Sequence, residues 1–251
     1  MLETSPEDLK RLWQELGLAP GSVIYCHSFL PSLGKIKGGP GLVVQTILET
    51  LGPKGTLVVP TFTYSYFKDQ VYDVESSPST VGALGDLVRT WPGAVRNLEP
   101  NFSMAAVGAR AQELVNRDIR HFVGPGSVYD KLMQADMRVL LLGVDFTALA
   151  LFMHLEKLHQ ISYRYDKEFK GRTRHQGEEF EDTALHFVRD LDLNPITHRS
   201  RIGAVIDQQP DCQQVSFAYG QHRLVPATTV ARVVSECLAK DPYFLIKDPV
   251  G

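Results

Sequence analysis

Leu9, Leu12, Leu16 and Leu18 recur at helical spacing among charged residues, which predicts an amphipathic helix near the start of the chain. It opens on Ser5-Pro6-Glu7-Asp8: a capping hydroxyl, a proline suited to the first turn, and acids at the positive end of the helix dipole. Gly17 marks its end, and Pro20-Gly21 a turn. Apolar runs at 22–26, 55–59 and 138–144 read as buried strands, and 103–107 as a further strand. Helices are predicted over 42–51, 82–91, 109–115, 147–160, 181–190 and 230–240. Residues 61–80 are aromatic and polar without a period. Residues 169–176 read as strand or loop, and 213–224 as a hairpin turning at Gly220. Apolar strands alternating with helices predict an α/β protein, layered α/β/α around a central mixed sheet, with an α+β C-terminal part. No repeat or linker divides it, so a single domain over 1–251 is expected.

Composition narrows the function. The chain has 251 residues, 43% hydrophobic and 22% charged, which is enough apolar content for a sizeable core. The net charge of −3 implies no basic face, which argues against nucleic-acid binding. No apolar run reaches the ~18 residues of a membrane span, and the polar, acidic N-terminus does not read as a signal peptide. Cys26, Cys212 and Cys237 are scattered and odd in number, as in a reducing cytoplasm with free thiols. There is no nucleophile elbow, Walker loop or HExxH, and Val44 breaks the dinucleotide fingerprint. His154 and His159 point roughly 140° apart on a helix, so no metal is expected. The segment 27–41, between a strand and a helix, carries Gly34, Gly38, Gly39 and Gly41; such a loop lets phosphate approach backbone N–H groups.

Five stretches carry a resemblance. They are His27-Ser28-Phe29-Leu30-Pro31-Ser32-Leu33-Gly34 with Gly38-Gly39, the run 55–63, Gly82-Ala83-Leu84-Gly85 continuing through 96–103, the run 139–146, and His154-Leu155-Glu156 with 161–165. In this order they resemble the aminoglycoside 3-N-acetyltransferase family, the antibiotic N-acetyltransferases. The match is good over about 5–170 and loose beyond. The resemblance implies the antibiotic N-acetyltransferase type of α/β fold and acyl transfer from acetyl-CoA, as donor substrate, to a primary amine. It implies that His27, Ser28, Ser32, Leu33, Lys35, Gly38 and Gly39 meet the coenzyme, with Thr61 and Ser103 near the pantetheine or thioester. It makes His154 the general base in a ternary complex, a task that suits imidazole.

Three departures bear on the site. Family members usually carry His-x-x-Glu, whereas here Glu156 follows His154 by two, about 200° around a regular helix. A π-bulge would absorb the difference; without one, Glu156 reads as a solvated charge, and another carboxylate must orient the imidazole. Glu99 stands where the family has histidine, and is expected to bind the acceptor's ammonium or to orient His154; Asp145 is a weaker acidic candidate. The segment between Thr63 and Gly82 is short, and Tyr64, Tyr66, Phe67, Tyr72 and Asp73 crowd into it, with Asp69 and Glu75 as further acids. The resemblance implies an amino-sugar acceptor, and the shorter segment leaves two kinds open, an aminoglycoside or a nucleotide-linked amino sugar whose diphosphate Arg164 or Arg172 would bind. Three rivals stand beside this reading: a Cys26 nucleophile, a thioester hydrolase, and a CoA-binding module without catalysis. A homodimer is the one assembly considered, and the sequence does not decide it.

Overall fold

The computed structural model describes residues 2–116 and 121–247. A short strand β1 (Glu3–Thr4) leads into helix α1 (Pro6–Leu16). Ser5 Oγ accepts the Asp8 N–H at 3.1 Å while Asp8 Oδ2 accepts the Ser5 N–H at 3.0 Å, so two otherwise unpaired donors are satisfied reciprocally. Gly17 closes the helix at φ +78°, and Trp13 joins Leu9, Leu12 and Leu16 on the buried side.

The chain continues through β2 (Val23–Ser28), β3 (Lys35–Ile36), α2 (Gly41–Leu51), β4 (Thr56–Pro60), β5 (Tyr72–Asp73) and α3 (Ala83–Arg89). Then follow β6 (Val95–Arg96), β7 (Met104–Gly108), α4 (Ala111–Leu114), α5 (Val128–Gln134), β8 (Arg138–Leu142) and α6 (Leu151–Leu158). The last part holds β9 (Arg164–His175), β10 (Glu178–Arg189), α7 (Arg199–Asp207), β11 (Gln213–Phe217), β12 (Gly220–Pro226) and α8 (Ala227–Lys240). Seven strands form one mixed sheet in the order β11-β12-β8-β2-β4-β7-β6. β2 runs parallel to β4 and β8, and the outer pairs are antiparallel.

Side chains alternate across this sheet, as the two-residue period of a strand requires. Tyr25, Val58, Val139 and Leu141 join the core on one side, with α5 to α8. Ile24, Cys26, Leu57, Val59, Leu140 and Leu142 join the core on the other, with α1 to α3. A sheet covered on both faces explains why β2, β4 and β8 are uninterrupted apolar runs in the sequence.

Two predicted helices differ from the structure. Residues 181–190 lie in a strand: β9 and β10 pair antiparallel in unbroken register from Arg164↔Arg189 to His175↔Glu178. Gln176 and Gly177, both at positive φ, make the two-residue turn that joins strands of right-handed twist. β5 adds to this hairpin as a third, parallel strand. The helix expected over 147–160 is shorter. Asp145 accepts the Thr147 N–H at 2.8 Å and caps a separate 3-10 turn over Phe146–Ala148. α6 itself ends where Gln160 turns to φ +50° and the Ile161 N–H reaches back to Glu156 O at 3.4 Å. No π-bulge interrupts it. The sequence pattern does not predict α5 or α7; α7 presents Arg199, Ser200 and Arg201 in its first turn, which reads as surface in a bare sequence.

Candidate active site

Strand β2 and helix α6 each deliver a histidine to a buried polar centre that Tyr25 and Tyr129 share. His27, near the end of β2, is buried, and its Nε2 lies 2.8 Å from Tyr25 Oη. Tyr25 Oη lies 2.7 Å from Tyr129 Oη on α5, and the Tyr129 ring packs on the His154 imidazole at 5.9 Å between centroids. His154 projects inward from α6, as its place in the sequence predicts, beside the buried Leu151. Thr147 and Leu158 do not share that face: Thr147 precedes the helix and Leu158 is half exposed. Burial disfavours the charged form of both rings. It lowers the His154 pKa to about 4, and lowers that of His27 to about 3, with the nearby Arg199 charge adding to the effect. His154 Nδ1 accepts the Gly124 N–H at 3.1 Å, so in the neutral ring Nε2 carries the proton.

The two glutamates have other partners. Glu156 is fully buried, which corrects the reading of a solvated charge. It accepts the Tyr163 hydroxyl at 2.8 Å and faces Arg164 Nε at 3.0 Å and Arg199 Nη2 at 4.0 Å. Glu99 is equally buried. It caps its own loop by accepting the Asn101 and Phe102 N–H groups, and its Oε1 lies 3.1 Å from His186 Nε2. His186, on β10, is a residue that the helix expected over 181–190 had hidden. Asn101 Nδ2 also meets its Nε2 at 2.8 Å, and its buried Nδ1 has no partner.

The loop after β2 borders a groove of about 780 Å³, walled by Leu30, Pro31, Ile36, Pro40 and Ala83, with Lys35 at its edge. Such an apolar slot suits an extended pantetheine arm. Ser28 ends β2 and is part-buried. Ser32 Oγ is buried without a hydrogen-bond partner and sits against Gly143, where an added Cβ would fall 1.9 Å from it. Leu33 is wholly in the core. Gly38 and Gly39 hold φ of +90° and +93°, but the Leu42 and Val43 N–H groups at the start of α2 turn back onto Gly39 O and Pro40 O. Lys35 and Lys37 both face Glu3, at 3.0 and 3.5 Å, so a phosphate must compete with that carboxylate.

Thr61 and Ser103 come together, with hydroxyls 3.0 Å apart, but both are fully buried and engaged by Arg96, whose Nη2 also donates to Thr61 O at 2.8 Å. They fix the β4 and β7 ends rather than opening onto either cavity. Cys26 is buried, and burial pushes its thiol pKa up, which disfavours a thiolate.

A second cavity, of about 640 Å³, lies against the β9–β10 hairpin. Phe67, Phe102, Phe169, His186, Arg164 and Arg199 contribute to its lining. Of the residues crowded between Thr63 and Gly82, only Phe67 reaches it. Tyr66 bonds Thr173 and Tyr72 donates to Asn97 O; Asp73 accepts the Glu75 and Ser76 N–H groups; Glu75 pairs with His175. Asp69 ends a 3-10 turn, and Arg172 pairs with Glu179 away from the cavity. Among the described residues no three His, Cys, Asp or Glu side chains converge as a metal set, and no helix is long and apolar enough to cross a membrane.

Comparison with known proteins bears on this arrangement. The family profile of aminoglycoside 3-N-acetyltransferase matches residues 26–239. Aminoglycoside N(3)-acetyltransferase IX of Micromonospora chalcea is 29% identical over 167 residues, covering 59% of each chain. The chain thus spans about three fifths of the length of that curated relative. Among solved structures, AAC-VIa bound to sisomicin superposes with a TM-score of 0.84 at 21% identity, over 95% of this chain and 98% of that one. AAC-IIIb in a binary complex with CoASH gives 0.82 at 22% identity, over 95% and 97%. These likenesses show the fold, while the long profile match shows that the chain belongs to the aminoglycoside 3-N-acetyltransferase family.

Proposed function

We propose that this protein is a CoA-dependent N-acyltransferase, with acetyl as the default acyl group and a primary amine of an amino sugar as acceptor. The observation that carries the reading is the buried His27–Tyr25–Tyr129–His154 cluster, assembled by β2, α5 and α6, in a chain that also carries the apolar slot bordered by residues 30–40. Relatives solved with CoASH and with sisomicin support a donor and an acceptor of these kinds. The chain acts as one domain over 1–251, in the cytoplasm, which agrees with three unpaired cysteines.

Lys35 lines the slot that would take the donor, Ser28, Ser32, Gly38 and Gly39 belong to the strand end and loop that border it in sequence, Leu33 anchors that loop to the core, and His27 belongs to the histidine cluster. A CoA thioester supplies the activated acyl carbon. His154 takes a proton from the attacking amine through Nδ1 once the Gly124 N–H gives up that lone pair; as the C–N bond forms the C–S bond breaks, and the proton passes to the departing CoA thiolate. Burial keeps the imidazole neutral, with its lone pair available, at the cost of basicity. An amine proton becomes strongly acidic as the nitrogen bonds to the acyl carbon, and a neutral imidazole is ready at any pH well above 4. Glu156 and Glu99 are positioning residues, the first for Arg164 and Arg199 and the second for His186. A ternary complex with direct attack needs no acyl-enzyme, in keeping with the inert setting of Cys26.

Calorimetric titration of acetyl-CoA, followed by thiol release in the presence of amino sugars, tests this reading. Saturable binding with amine-dependent release is expected. Release without an amine would make the protein a hydrolase, and binding without release a CoA-binding module.

A further inference from the structure

The cavity against the β9–β10 hairpin has an unbalanced charge. Glu156 is one carboxylate facing two guanidinium groups, and its other oxygen is taken by the Tyr163 hydroxyl. The Arg164 side chain is 5% exposed, with Nη1 on Phe187 O at 3.1 Å. The Arg199 side chain is 12% exposed; Nη1 donates to Leu149 O at 3.2 Å, and the buried Nε has no partner. Both residues line the cavity. An uncompensated cation in a partly dry site attracts an anion far more strongly than it would in water. Lys167 and Arg189 add positive charge at the mouth. The acids there are Asp190 and Asp192, and Asp190 Oδ1 is occupied by the Asp192 N–H. Phe67, Phe102 and Phe169 give the same cavity flat apolar faces, suited to a sugar ring or a base.

We infer that this cavity takes an acceptor bearing a phosphate or diphosphate beside its amine, the anion meeting Arg199 and Arg164. The inference rests on the transferase reading and names its substrate class. A polycationic amine would set like charges against both guanidinium groups, whereas a phosphate is matched by their planar donors. A sugar phosphate and a nucleoside-diphosphate-linked amino sugar share this chemistry.

Thiol release from acetyl-CoA should be compared for glucosamine 6-phosphate, UDP-glucosamine, glucosamine and gentamicin. At least one phosphorylated acceptor is expected to exceed glucosamine tenfold in kcat/KM, and to exceed gentamicin; which one does so identifies the source. That preference should fall with ionic strength, and Arg199→Gln should shrink the ratio of phosphorylated to neutral acceptor at least tenfold. Because Arg199→Gln also removes a buried partner of Glu156, a second measurement uses the wild-type protein. With the donor site saturated by desulfo-coenzyme A, UDP-glucosamine and inorganic diphosphate should still bind by calorimetry. Gentamicin preferred over every phosphorylated acceptor, or no phosphate uptake by the saturated protein, overturns the inference and leaves the transferase reading standing. Phosphate uptake without thiol release from any amine upholds the anion site and defeats the transferase reading.

Discussion

The two cavities are built in opposite ways. The slot after β2 is made from one short stretch of chain, residues 30–40, completed by Ala83 and Tyr219, and is held open by close packing around glycine. The hairpin cavity gathers Phe67, Phe102, Arg164, His186 and Arg199 from five separate segments, and is held by buried charge. A local site can be recognised from spacing alone, because strand, loop and helix follow one another. A dispersed site cannot, because each contributor looks like an ordinary surface residue until the fold brings them together. His154 lines neither cavity; it packs on Tyr129, and its sequence neighbour Met153 lines the hairpin cavity.

The largest expected effect is at His154, which belongs to neither cavity. Replacing His154 with alanine should lower kcat by about 10²–10⁴-fold, the usual worth of a positioned general base. Acetyl-CoA affinity, read by calorimetry, should stay within a factor of two. Retention of most of the rate would move the base to another group, with His186 the next candidate because its Nδ1 is unpartnered in the hairpin cavity.

Next comes the contrast between buried and exposed charge. Glu156→Gln leaves Arg164 and Arg199 without their carboxylate, and should cost about 3–5 kcal/mol in urea unfolding. Glu3→Gln, which removes the exposed partner of Lys35, should cost less than about 1 kcal/mol. Equal costs would mean that the hairpin cavity is no drier than the protein's surface.

The same division governs what the sequence revealed. The capping box at Ser5, the apolar runs of β2, β4 and β8, and the loop from His27 to Gly39 are local features, and the structure has them where spacing puts them. Residues 181–190 read as a helix because an outer strand with one partly covered face mixes Phe187 and Leu185 with charges, and that mixture imitates an amphipathic helix. The Gln176-Gly177 turn was the available signal. With that strand misassigned, the pairing of His186 with Glu99 was invisible. Arg199 could not have been found from the sequence, since only tertiary packing sets it beside Glu156, from forty-three positions away.

The pH dependence follows from burial in the centre. His154 has a pKa of about 4 folded against 6.5 unfolded. As pH falls, the unfolded chain binds the proton first, so stability rises with pH between these values. The contribution is complete above pH 6.5 and is lost as pH falls toward 4, on the order of 3 kcal/mol for this residue. His27, lowered to about 3, adds to the slope in the same direction. Urea midpoints measured from pH 7.5 to 4.5 should fall steadily, and less so in His154→Gln. An unchanged slope would place the imidazole in contact with water.

The slot offers a smaller effect. Gly143 sits at φ +64°, with Ser32 Oγ where a Cβ would go. Gly143→Ala should destabilise by about 1–3 kcal/mol through strain and overpacking. On the proposed reading it should also weaken acetyl-CoA more than the amine acceptor, because the loop that carries Ser32 also walls the slot. A KM change confined to the acceptor would break the separation of the two cavities.

The smallest effect is expected at Cys26, and it is informative for that reason. The residue precedes His27 by one position but faces the opposite core, packed among Ile24, Leu140 and Leu142. A strand's alternation therefore keeps the thiol away from the histidines. Burial raises its pKa, so little thiolate is present near neutral pH. Cys26→Ala should leave kcat within about twofold while costing about 1 kcal/mol of stability for the lost sulfur contacts. A well-folded variant that no longer released thiol in the presence of an amine would require a covalent acyl-cysteine. The strand would then have to rotate its faces to expose it, and direct attack in a ternary complex would be excluded.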